Sequence, residues 1–353
     1  MNDLEHATAV CAELGETFCL TFVKGVDEAE ALRRMGADPD TVAPRTGGQL
    51  PDLDGDARPD GASTAIALNL GRWAVVIEPG GSAGAGHPLL QTVSRGTDAL
   101  SVSRQGQGSS HVGYASSGVT VVAFDPGYPA HEVTWGSDPG LLRHLMRAVG
   151  LDEPDDDVSL AVPRAMVLAQ RLSGARLPAR PLDGPALSAR IHPWSVTPVG
   201  PGDLLSARRA APQVAELVAV AEAAAPGTQR SVAAAEVGRL ADLLGLTGTP
   251  GLADALAAAA AGTAGPVTVD SPLGGQVRGW LAAAARVDDR RDGPSDADRE
   301  RAAGYRWFVP ALRGVSDPDP RTAVLAALKP LGSGVAGAAE ERAAVVAALR
   351  GGR

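Results

Sequence analysis

Lysine is almost missing from this chain: only Lys24 and Lys329 occur among 32 basic residues. The rest are arginines, a bias that GC-rich coding produces and that by itself points to no function. Aromatic residues make up 3% of the 353 residues, so cores must be built from Leu, Val and Ala, whose helices pack closely and bury modest area each. Two cysteines cannot make a disulfide framework, and Cys11 and Cys19 have no partners at zinc-ligand spacing. Cys11 shares an apolar helical face with Leu4, Ala7 and Leu14, as a packed thiol would. No uncharged apolar run reaches the ~18 residues of a membrane span. The opening MNDLEHATAV carries acids where a secretory signal has bases. A cytoplasmic protein without membrane contact is expected.

The net charge of −9 is unevenly spread. Residues 1–157 hold 10 basic and 23 acidic side chains, a net of −13, and the remainder carries +4. An acidic first half repels phosphate backbones, and the basic excess of the second is scattered without interleaved aromatics, so nucleic acid is excluded as a partner.

Periodicity gives the elements. A helix is expected over residues 4–14, stopped by Gly15, followed by a strand in TFCLTFVKG with Phe18, Leu20 and Phe22 on one face and Cys19, Thr21 and Val23 on the other. Asp27 and Glu30 form a capping box for a helix that Gly36 ends. Residues 38–62 are rich in Pro, Gly and Asp and read as a mobile loop; within it Asp52, Asp54 and Asp56 imitate a calcium loop that Ala57 and Ser63 spoil. TAIALNL and RWAVVIEP read as a β-hairpin. A helix from Pro88, a strand in ALSVSRQ and two strands around the Ser-Ser-Gly turn of HVGYASSGVTVVAFDPG follow. Asp138 and Pro139 open a helix striped by Leu141, Leu142, Leu145, Met146 and Val149. LDEPDDDVS, residues 151–159, reads as an acidic linker. Beyond it helical spacing dominates: Ala233, Val237, Leu240 and Leu244, then Val277, Leu281 and Ala284, then Ala302, Tyr305, Val309 and Leu312.

The stretches ETFCLTFVKGVDEAEALRRMGA, LGRWAVVIEPGG and SSHVGYASSGVTVVAFDP, in that order, resemble an uncharacterised domain family of high-GC bacteria, over roughly residues 4–150. The resemblance implies no activity and assigns no functional residue. SDPDPRTAVLAALKPLG resembles one helix of a HEAT-type repeat.

These readings give an α+β fold. An N-terminal antiparallel sheet of about five or six strands with flanking helices occupies residues 1–150. Residues 151–159 form the linker, and an Ala-rich all-helical domain, a bundle or HEAT-like, occupies 160–353.

The chemistry-bearing candidates are few. In GSAGAGHP, residues 81–88, Gly81 and Gly86 have the spacing of a phosphate loop, but His87 and Pro88 replace its lysine and hydroxyl. Gly81, Gly84, Gly86 and His87 are therefore weak anion-loop candidates, and a glycine-rich turn is expected. No GxSxG occurs, and Ser110 and His111, adjacent on a strand, point to opposite faces. His87, His111, His131 and His144 form an acid–base or metal cluster only if the fold gathers them. His192 and Trp194, between proline-rich segments, are candidates for partner binding. With no catalytic residue, metal or cofactor assigned, the expected function is that of a non-enzymatic cytoplasmic adaptor that binds a protein partner. The alternative is a hydrolase or nucleotide-binding enzyme using the loop 80–86 and His87.

Overall fold

The computed structural model describes residues 2–50, 62–106, 109–128, 134–152, 158–199, 212–288, 293–332 and 339–351. They divide into two units, the first running to Pro198 and the second from Val199. The first is built on an eight-stranded antiparallel sheet of order β2-β8-β3-β4-β1-β5-β6-β7. Its strands are β1 (Phe18–Lys24), β2 (Ala43–Arg45), β3 (Ser63–Leu70), β4 (Trp73–Pro79), β5 (Asp98–Arg104), β6 (His111–Ser116), β7 (Val119–Phe124) and β8 (Ala186–Ile191). Helices α1 (Asp3–Leu14), α2 (Glu28–Arg34), α3 (His87–Val93), α4 (Arg143–Val149) and α5 (Ala161–Ser173) cover it.

Strand alternation separates two unlike faces. One carries Phe18, Leu20, Phe22, Val75, Ile77, Leu100, Val102 and Val122, packed under α1, α4 and α5 by Val10, Cys11, Met146, Met166 and Leu168. The other is largely alanine: Ala65, Ala67, Ala74, Ala99, Ala115 and Ala189 meet Leu32, Met35, Leu89, Leu90 and Val93 of α2, α3 and their ends. Small residues there let the short helices approach closely. Both sheet edges are protected. β2 is three residues long with Pro44 in its centre, which removes a ladder donor, and β7 is bridged along its outer side by Trp135, which exchanges backbone hydrogen bonds with Ala123.

The local signals hold where periodicity was clean. Asn2 caps α1 and Asp27 caps α2 through its side chain; the β3–β4 hairpin pairs Leu70 with Trp73 across a two-residue turn, Gly71 having φ 76°. Three expectations need correction. The sheet has eight strands, not five or six, because β2 lies in the segment expected to be a mobile loop. Residues 38–50 are tied in by Asp38, whose amide donates to Arg190 O, and by the β2–β8 ladder; residues 51–61, with Asp52, Asp54 and Asp56, lie outside the described residues. The expected boundary at 151–159 falls inside the first unit. α5 packs on α1, and β8 completes the sheet beside β3, so residues 160–353 are not all helical. The Asp138 helix starts later than expected, at Arg143, and Leu141 is 44% exposed rather than part of the stripe.

Among the described residues the second unit is helical: α6 (Pro212–Ala223), α7 (Pro226–Leu243), α8 (Leu252–Ala261), α9 (Gly274–Asp288), α10 (Asp296–Gly314), α11 (Pro320–Ala327), α12 (Lys329–Gly332) and α13 (Ala339–Gly351). α7 packs against α8 and α11, and α9 against α10. Trp280 lies edge-on to Phe308, with ring centroids 5.3 Å apart. Asp319 caps α11 with Pro320 in its first turn.

The revised boundary changes the charge division. Residues 1–198 hold 15 basic and 24 acidic side chains, net −9, and residues 199–353 hold 17 of each. The whole excess therefore belongs to the sheet unit. It also sets a prediction: a fragment of residues 1–198 folds cooperatively with a dispersed amide NMR spectrum. A fragment of residues 1–157, lacking Met166 and Leu168 of one core and Ala189 and Ile191 of the other, does not. A dispersed spectrum from the shorter fragment would contradict the boundary.

Candidate functional site

Strand register builds one polar row in the alanine face. Glu78 pairs with Cys19, Cys19 with Ser103, and Ser103 with His111, so four adjacent strands each place one polar side chain on the same side at the same height. Directly opposite residues have Cβ atoms about 5 Å apart. The next row is Val76, Thr21, Ser101 and Gly113. Glu78, Cys19, Thr21, Ser101 and Ser103 are all fully buried.

The glycine loop is the roof of this row. After Gly80 the chain turns back over the sheet and forms a single 3-10 turn, Ala83–Ala85, before α3 begins at His87. The amide of Ala83 donates to Glu78 Oε2 at 3.0 Å and that of Gly84 to Oε1 at 2.8 Å; Ser63 Oγ adds a third bond at 3.1 Å. Cys19 Sγ, paired across the strands with Glu78, lies 3.9 Å from Thr21 Oγ1. Gly84 is glycine for lack of space: a Cβ there would strike Thr21 Oγ1, and would stand 2.9 Å from Glu78 Oε1 and 3.1 Å from Cys19 Sγ.

The loop amides expected as a weak anion cradle thus already hold an anion of the protein's own. Two of them, at Ala83 and Gly84, are committed to Glu78, while Gly81 packs against the Glu78 side chain. Burial pushes the Glu78 carboxyl above its ordinary range, against the pull of these hydrogen bonds. Burial and the neighbouring carboxyl push the Cys19 thiol far up, so it is no thiolate nucleophile.

Of the four histidines considered together, the fold joins two. His87 and His111 meet edge to face with centroids 4.7 Å apart, and His87 stacks edge-on to Trp135 at 4.1 Å. His144 is exposed on α4, and His131 lies outside the described residues. His111 does not face Ser110; its cross-strand neighbour is Ser103, a partner that becomes visible only once strand register is known. Burial, then the charge of His87, pushes His111 down to about 4, and burial lowers His87. Among the described residues no group of three or more His, Cys, Asp or Glu is placed to hold a metal ion.

His192 and Trp194 lie elsewhere, beside β8. His192 is fully buried, its Nε2 4.0 Å from Asp38 Oδ2 and its amide donating to Gly36 O. A side chain with no exposed surface cannot contact a partner, so His192 is a fastening of β8 to residues 36–38. Trp194 is half-buried, its ring 6.4 Å from that of His192.

An open cleft of ≈ 660 Å³ lies at the same end of the strands, just beyond this row and beside the start of α5, lined among others by Glu16, Arg104, Ser110, Asp125, Tyr128 and Val158. Tyr128 is 70% exposed and Val158 60%. No sequence pattern points to this cleft, because its walls come from separate segments, the chain before β1, the β5–β6 connection, the residues after β7 and the start of α5.

Residues 5–187 match the model of a family of unknown function, DUF6461. The chain belongs to this family. The match covers more than half the chain and ends within β8, so the matched region takes in α5 and nearly all of the sheet. No curated protein and no solved structure matches. No helix among the described residues is long and apolar enough to cross a membrane.

The low His111 value has a sign that can be checked. Its folded value lies below the ordinary 6.5, so the neutral ring is favoured in the fold. Its contribution is fully present above pH 6.5 and is lost as pH falls towards 4. Glu78, raised above 4.5, works oppositely, costing stability as pH rises beyond 4.5. The stability difference between wild type and His111→Gln isolates the first effect: it should shrink by about 2 kcal/mol at most between pH 7 and pH 5. Urea unfolding at the two pH values measures it, and a difference that grows as pH falls would contradict a buried neutral imidazole.

Proposed function

We propose that this chain is a non-enzymatic interaction protein whose partner docks in the cleft at Tyr128 and Val158. The observation that carries the reading is the exposure of these two side chains, 70% and 60%, at a concave site. Large apolar groups left open beside a mixed-charge lining suit a recognition surface. The net charge of −9 on residues 1–198 favours a basic protein partner and disfavours nucleic acid. Cys11 and Cys19, both buried free thiols, suit the reducing cytoplasm. The enzyme reading through loop 80–86 and His87 is weakened because Glu78 occupies the amides that a phosphate would need.

Photo-crosslinking in the producing cells tests the proposal. A photoreactive residue at position 128 or 158 should give the same discrete protein adduct, and one at Leu243, 61% exposed in the second unit, should not. With the captured partner purified, Tyr128→Ala should weaken binding at least tenfold without lowering the unfolding midpoint. Equal adducts at all three positions, or binding indifferent to Tyr128→Ala, would refute the cleft as the docking site.

A further inference from the structure

Loop 80–86 has the make-up of a moving part. Four of its seven residues are glycine, and Gly80, at φ 68°, gives it a hinge where L side chains are strained. Two bonds hold it to the row below, from the amides of Ala83 and Gly84 to the Glu78 carboxylate, while the amide of Ala85 donates to Ser82 O within the loop and that of Gly80 to Thr17 O at its start. Both carboxylate oxygens accept from this loop, so Glu78 is the group on which its closed position depends.

What lies underneath is not simply core. Ser101 Oγ and Ser103 Oγ, in fully buried residues, have no hydrogen-bond partner among the described residues, and neither do His111 Nε2 and His87 Nδ1. A buried hydroxyl without a partner costs about 1–3 kcal/mol. Two such hydroxyls and two imidazole nitrogens gather on β5, β6 and the start of α3. Alanine, used at six neighbouring positions of the same face, would carry no such cost.

We propose that loop 80–86 is a lid, latched by Glu78, which opens locally to bring Cys19, Ser103 and His111 into contact with solvent. The motion is separate from the cleft at Tyr128 and does not rest on its role. Two cysteines make it measurable. Cys19 lies directly beneath the lid, whereas Cys11 is buried in the opposite core under α1. Local opening exposes the first alone, and global unfolding exposes both.

The experiment follows modification of both thiols by a thiol-specific reagent at constant pH 7.5, resolved by peptide mass spectrometry. In wild type at low urea, Cys19 should react at a rate independent of urea, while the Cys11 rate climbs with urea. Glu78→Gln, which places an amide donor among the loop amides, should raise the Cys19 rate at least tenfold with the Cys11 rate unchanged. Ser63→Ala removes one bond to the latch without altering charge near the thiol and should give a smaller rise. Should Glu78→Gln fail to fold, wild type and Ser63→Ala decide. Equal urea dependence of the two cysteines in wild type, or variants in which both rates rise together or neither rises, would overturn the lid.

Discussion

A carboxylate buried in the face of a sheet must be given hydrogen-bond donors, and Glu78 takes them from the chain that follows it. Its neighbours on that face are alanines, a valine and uncharged polar groups, and the bonds its carboxyl accepts come from Ser63 and the amides of Ala83 and Gly84. An unpaired, unbonded carboxylate would cost several kcal/mol there. Satisfying it folds the glycine loop flat over the sheet, fixes where α3 begins, and so brings His87 against His111 and Trp135.

The same constraint separates the molecule's chemistry from its open surface. The groups with reactive potential sit in one row, roofed over, with the thiol and imidazole both held in their neutral forms. The surface left open lies just beyond the same strand ends, beside the start of α5, where Tyr128 and Val158 face solvent. The two sites differ in kind: one is internal and governed by hydrogen bonds, the other external and suited to a partner.

Much of the fold was legible in sequence wherever a local pattern was strong. The alternation of Phe18, Leu20 and Phe22 against Cys19, Thr21 and Val23 gives the two faces of β1, and Asp27 and Asp319 mark real helix starts. β2 and β8 were not legible, since each holds few large apolar residues and is set by pairing with distant chain, β2 with β8 and β8 with β3. ALSARI shows no strong alternation, and the acidic, Pro-containing segment 151–159 before α5 suggested a boundary that lies further on. The site was legible in pieces only. The glycine loop stood out, but its occupant did not, because Glu78 reads in sequence as the outward residue of a hairpin strand. Only the loop folded over the second face turns that position inward.

The most direct measurement is a carbon-13 NMR titration of the Glu78 carboxyl with the amide protons of Ala83 and Gly84 followed in the same samples. The carboxyl should titrate with a midpoint above the ordinary 4.5, with both amide resonances moving in step as their acceptor loses its charge. A carboxyl that titrates at or below 4.5 while the two amides stay still would contradict this.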